Sequence, residues 1–238
     1  MTQATDEAIH ATLSGLLLTG ALPAGTQLVE TRVAAIFGVS RERVRKVLHR
    51  LGHERLLEMV PNRGSFVRAP SLEQAREIYA ARRVTEGGIV AWLAAQGLAT
   101  PQLDTLRRHL AAEEAAAAAG DRAASVRLSG EFHLLLAQAT GNALVEGNLR
   151  ELVSRTALLV ALFEQGNASH CGCEEHRTIL AELERSNVTG ALGAMHAHLS
   201  LIETRLRPRG EAAAVDADAV LRKAWKATTG RSRKAAPA

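Results

Sequence analysis

Residues 39–67, VSRERVRKVLHRLGHERLLEMVPNRGSFV, decide the reading of the whole chain. Four arginines and one lysine fall between positions 41 and 50. Val44, Val47, Leu48 and Leu51 recur there at helical spacing, so the segment predicts a helix with one apolar face and one strongly basic face. Ser40 stands where a helix N-cap belongs, and Gly38 closes a preceding helical stretch, ETRVAAIFG. Downstream, RLLEMV and GSFVRA predict two short strands around the turn PNRG. Upstream, Ile9, Leu13, Leu16 and Leu17 predict a further helix, followed by a turn cluster at Gly20, Pro23 and Gly25. The order helix, helix, turn, helix, hairpin is that of a winged helix-turn-helix.

The rest of the chain is read as helical. From 72 to about 206 the apolar pattern predicts helices near 72–97, 102–119, 121–139, 143–165, 174–185 and 188–206, and RAPS at 68–71 is expected to be a linker. The fold class expected is therefore mainly α. Residues 1–70 would form a winged helix-turn-helix, and 71–208 an all-helical bundle that binds an effector and dimerises. A basic, mobile tail is expected over 209–238, because positions 221–238 carry six basic residues and no acid.

Composition narrows the class. Aromatic residues make up 3% of the 238, and the net charge of +4 suits an anionic partner. No apolar run reaches membrane-span length, and no signal-peptide pattern is found at the N-terminus, so a soluble, cytoplasmic protein is expected. The two cysteines, in HCGCEEH, are one residue apart; a solvated loop before a helix is expected there. There is no HExxH, GxSxG, Walker loop or GxGxxG, and the one Glu-x-x-His, Glu7 to His10, lies at the extreme N-terminus. An enzyme is not expected.

On the basic helix, Arg41 and Arg45 share one face, with Arg43 and Lys46 nearby. An arginine fork there can grip guanine O6 and N7 or a backbone phosphate. The stretch LPAGTQLVETRVAAIFGVSRERVRKVLHRLGHERLLEMVPNRGSFV resembles the DNA-binding domain of the GntR family of bacterial transcription regulators. Its Pro-x-Gly turn, FGVSRxxVRxxLxRL core and Arg-Gly wing tip carry the likeness. The family's usual Thr-Pro pair is replaced by Glu42 and Arg43, and Lys46 adds another charge. The resemblance makes Ser40, Arg41, Arg43, Arg45 and Lys46 the expected recognition-helix contacts. Arg63 and Gly64 are the expected wing contacts, and Arg32 an expected phosphate contact.

The segments ARRVTEGGIVAWLAA, SGEFHLLLAQATGN, EEHRTILAEL and MHAHL are similar to the helical ligand-binding (FCD-type) domain of the FadR-like branch of that family. The resemblance implies that His133, His176 and His198 hold one divalent ion, zinc or a similar metal. It also implies that a small organic acid binds beside it, against Arg82. Arg82 and Glu86 stand four apart on one helical face, so an ordinary ion pair within the helix is the other reading of that arginine. The family's aspartate ligand is replaced here by Ser129, which leaves the ion short of one negative charge. A metal-free cavity in which the histidines bind the effector directly stays open as an alternative.

The function expected is that of a ligand-responsive transcription regulator, a repressor by the family's commoner habit, acting as a homodimer on double-stranded operator DNA. The rival readings are a metal-dependent hydrolase using the three histidines, and a DNA-binding protein without an effector.

Overall fold

The computed structural model describes residues 4–164, 169–207 and 215–234, with the side chains of 169–171 and 229–234 outside the description. It divides into two compact units, 1–69 with 209–238 and 70–208.

In the first unit α1 (Asp6–Leu18), α2 (Glu30–Phe37) and α3 (Arg41–His53) surround a core that includes Ile9, Leu13, Leu17, Val33, Val44, Leu48 and Leu51. Gly38 ends α2 at φ +68°, a left-handed backbone that glycine adopts without strain. That turn separates α2 from α3, which packs against it. Ser40 then caps α3 by accepting a hydrogen bond from the Arg43 backbone N–H at 3.4 Å. Strands β2 (Leu57–Val60) and β3 (Gly64–Val67) form the hairpin, pairing Leu57 with Val67 and Val60 with Gly64. A third strand, β1 (Gln27–Leu28), pairs antiparallel with β3 in the order β1-β3-β2. Only a turn is expected from its sequence, since two residues carry no period of their own.

The segment after 209 departs from expectation. Instead of a mobile tail, α10 (Ala217–Lys234) is a helix packed against α1 and α2. Leu221 is 1% exposed, and the Trp225 ring meets Phe37 edge-on at 4.9 Å between centroids. Apolar burial on one face outweighs the repulsion among its basic residues.

The second unit is a bundle of α4 (Leu72–Gln96), α5 (Thr100–Ala118), α6 (Arg122–Ala139), α7 (Ala143–Phe163), α8 (Ser169–Glu184) and α9 (Val188–Arg205). Leu106, Phe132, Leu136, Leu149, Ile179, Met195 and Leu199 lie in its core. Helix α4 packs along α9, and Gly87 lets them close: a Cβ there would lie 2.8 Å from His196 Nε2. HCGCEEH belongs to α8 rather than to a loop, and Cys173 is buried. Among the described residues no helix is long and apolar enough to cross a membrane.

Candidate functional site: a basic reading head and a three-histidine cavity

Four cations of α3, Arg41, Arg43, Arg45 and Lys46, fall into two groups, each facing an acid from an earlier helix. Arg45 donates to both oxygens of Glu30 at 2.9 and 3.0 Å, and Arg41 lies 3.6 Å from the same carboxylate. Bonding from Arg45 holds the Glu30 carboxyl below the usual range. Both arginines stay more than half exposed. Arg43 donates to Asp6 at 2.8 Å and is only 34% exposed, while Lys46 lies 3.6 Å from Asp6 and is 80% exposed. Arg43 is thus drawn toward the start of α1 and helps fasten it to α3, a role its spacing does not suggest. Arg32 is exposed on α2.

At the wing tip Asn62 and Gly64 take φ of +60° and +102°. The backbone angle, beyond any need for close approach, calls for glycine at 64. Gln27 Nε2 donates to the Arg63 carbonyl at 2.7 Å, and the Arg63 guanidinium lies 5.6 Å from the Phe66 ring centroid. The tip is therefore held from β1 and β3 together.

In the helical unit His133 (α6), His176 (α8) and His198 (α9) come together, each 1% exposed or less. His198 Nε2 lies 3.2 Å from both His176 Nε2 and His133 Nε2. Each other ring nitrogen faces a glutamate. His176 Nδ1 meets Glu113 at 2.8 Å, His198 Nδ1 meets Glu175 at 2.7 Å, and His133 Nδ1 stands against Glu86. Burial disfavours ionised Glu86, but Arg82 and His133 outweigh it and hold its carboxyl at about 2. Burial similarly opposes Glu113, and His109 and His176 bring it to about 2. Burial pushes His133 down to about 4, and burial with the neighbouring imidazoles pushes His198 well below its usual value.

A carboxylate accepts, so Glu113 and Glu175 draw the ring hydrogens of His176 and His198 to Nδ1 and leave each Nε2 turned inward with a lone pair. His133 Nδ1 stands against Glu86 without a hydrogen bond. The three Nε2 atoms meet in a buried space. A divalent cation suits that space, and about 3.3 Å between nitrogens is what zinc–nitrogen bonds near 2.05 Å give in a tetrahedron. Carboxylates on the far nitrogens are the orienting partners that metal-bound histidines use. The residues fit a metal. Cys173 stands apart from the cluster, since burial pushes its thiol up to about 11.

A cavity of about 80 Å³ opens beside His133, lined also by Tyr79, Arg82, Arg122, Ser129 and Arg205. A single water needs about 10–15 Å³, so the space suits a small organic molecule. Arg82 donates from Nε to Glu86 at 2.5 Å, while its Nη2 and the Tyr79 hydroxyl are buried without a hydrogen-bond partner. Arg82 and Glu86 therefore do form an ion pair within α4, but a buried one, and Arg82 keeps a donor for the cavity. Arg205 donates to Glu175 at 2.7 Å. Two relays, Arg82–Glu86–His133 and Arg205–Glu175–His198, thus link the cavity wall to the histidine cluster. Sequence reasoning missed Glu113, Glu175, Tyr79, Arg122 and Arg205, and saw Glu86 only as a partner for Arg82.

A winged helix-turn-helix joined in one chain to a helical bundle with an internal cavity defines a class: DNA-binding proteins with a second, all-helical domain. Residues 5–67 match the bacterial regulatory proteins of the gntR family, and residues 77–201 match the FCD domain. The chain belongs to the GntR family of bacterial regulatory proteins, in its FCD-domain form, and is a DNA-binding transcription regulator rather than an enzyme. It is 27% identical over 209 residues to the HTH-type transcriptional repressor RspR of Escherichia coli K12, covering 87% of this chain and 90% of that one. The same figures hold for YdfH, an uncharacterised HTH-type transcriptional regulator of Shigella flexneri. The fold is similar to that of E. coli McbR/YncC, with a TM-score of 0.66 at 22% identity over 82% of this chain and 93% of that one. It is also similar to a GntR regulator from Rhodococcus sp. RHA1, at 0.69 and 23% over 84% and 95%.

Proposed function

We propose that this protein is a cytoplasmic homodimer that represses transcription from a two-fold operator and responds to a small organic acid bound in the helical unit. One observation carries the reading. The three converging histidine Nε2 atoms and the orphaned donors of Arg82 and Tyr79 belong to one buried cluster and cavity. Buried polar atoms without partners are costly, about 1–3 kcal/mol each, so a site built this way is built for a ligand. A divalent ion on His133, His176 and His198 would supply a Lewis-acid seat for one oxygen of the acid. Arg82 Nη2 would take a carboxylate, and Ser129 would line the place an aspartate ligand fills in relatives. Ligand binding would bias two arrangements of the helical domain and so change operator affinity. The reading is tested by screening small carboxylates in thermal shift, with and without zinc, and then measuring operator affinity with each ligand found. A regulator whose operator affinity no such acid changes would refute it.

On the DNA side, Ser40, Arg41 and Arg45 would read the major groove, with Arg63 and Gly64 in the wing and Arg32, Arg43 and Lys46 supplying phosphate attraction. Replacing Arg45 with alanine is expected to weaken operator binding by about 1–3 kcal/mol and relax preference at one base pair. Lys46→Ala should weaken all duplexes alike and make the salt slope shallower by about one. Unchanged operator affinity in Arg45→Ala, measured by competition, would mean that α3 is not the reader.

Dimerisation has a candidate face. On α4, Ala81, Val84, Gly88, Trp92 and Ala95 follow one another at helical spacing, and Val84 and Trp92 are 79% and 48% exposed. Helix α9, packed on α4, exposes Leu201. An uncharged stripe of this kind suits a second copy of the same surface. A Val84→Asp/Trp92→Asp variant should elute with the light-scattering mass of a monomer and lose most operator affinity; a dimer mass would rule this face out.

A further inference from the structure

The docked helix α10 adds something to the DNA-binding unit that the reading head does not explain. Its apolar side, Leu221 with Trp225, is spent on α1 and α2. Its outer side carries Arg222, Lys223 and Lys226, all exposed. The sequence places Arg231, Arg233 and Lys234 further along the same helix, against a single acid, Asp218. Asp218 lies 3.9 Å from Arg222 at the surface, where such a pair is worth little. A face with this excess of basic residues suits an anionic partner.

The position names that partner. In a helix-turn-helix on DNA the second helix enters the major groove while the first crosses the sugar-phosphate backbone. Here those helices are α3 and α2, and α10 lies directly on α2. We infer that the outer face of α10 is a second DNA-contacting surface, gripping the phosphate backbone of the duplex that α3 reads. It carries no base-reading role. Its contribution is electrostatic and equal for every sequence.

The inference rests on the DNA-binding reading, and one experiment separates the two. The full chain and an Arg222→Ala/Lys223→Ala/Lys226→Ala variant are titrated by fluorescence anisotropy with a random-sequence duplex several helical turns long, over a series of salt concentrations. Each lost phosphate contact should flatten the log–log slope by about 0.9, so a decrease of about two to three is expected, with weaker binding at low salt. The thermal midpoint should stay where it is, because these side chains point away from the core. An unchanged slope with a wild-type midpoint overturns the inference and leaves the α3 reading standing. Should the triple variant lose its fold, Lys223→Gln alone must flatten the slope by about one, and a wild-type slope in that variant overturns the inference. A wild-type chain that binds no duplex at any salt refutes both.

Discussion

Leu221→Ala is expected to destabilise the winged-helix unit by about 2–5 kcal/mol, read as a lower urea midpoint followed by Trp225 fluorescence. The side chain is 1% exposed and belongs to the helix that closes on α1 and α2, so its removal leaves a cavity as well as losing burial. The same experiment on Lys223→Ala should leave the midpoint almost unchanged, since that residue is exposed. The contrast separates the two faces of α10. A Leu221→Ala protein as stable as wild type would mean that the helix does not dock on the first unit in solution, and the expectation of a mobile tail would be reinstated.

That helix shows how charge can hide a legible pattern. Ala217, Leu221, Trp225 and Thr228 fall at intervals of four, four and three, which is one helical face. Six basic residues in the same stretch draw the eye to solvation instead. Strand β1 was not legible for another reason. It exists because Gln27 and Leu28 pair with Phe66 and Ser65 on the wing, nearly forty positions away, and no local period announces that. The reading head was legible because its signals are local: a cap at Ser40, a left-handed glycine at 38, and a four-residue apolar face.

The cavity was half legible. The three histidines stood on apolar faces, and the family likeness tied them together. Glu86 stood out only beside Arg82, and Glu113 and Glu175 not at all, because a glutamate on an amphipathic helix is ordinarily a surface residue. A signal was available. Glu113 follows Leu106 and Leu110 and precedes Ala117 at intervals of four, three and four, and Glu86 continues Tyr79 and Arg82 toward Val90 and Leu93. An acid on the buried stripe of its own helix must find a partner inside the fold. Glu175 gave no such sign, being only partly buried. Arg122 and Arg205 lie near helix ends, where a basic residue passes for solvent-facing.

Those glutamates also change what is expected of the metal. With Ser129 in place of a carboxylate ligand, three neutral imidazoles alone would hold a divalent ion with no nearby negative charge. Glu86, Glu113 and Glu175 supply that charge on the far side of each ring, against its Nδ1. Removing the charge while keeping the shape, as in Glu113→Gln, should therefore weaken zinc binding by about 10–100-fold, because the outer carboxylate both orients the ring and makes its free nitrogen more basic. Ser129→Asp should act in the opposite sense, adding a hard, charged oxygen one turn before His133 on α6. The same aspartate should weaken an anionic effector, since its charge enters the cavity that Arg82 and Ser129 share. Titration calorimetry of zinc into chelator-stripped wild type, Glu113→Gln and Ser129→Asp gives the order directly: Ser129→Asp tightest, Glu113→Gln weakest. Equal affinity in all three, or no binding in any, would mean that the three lone pairs are satisfied by protons or by the effector itself. The histidines would then serve a metal-free pocket.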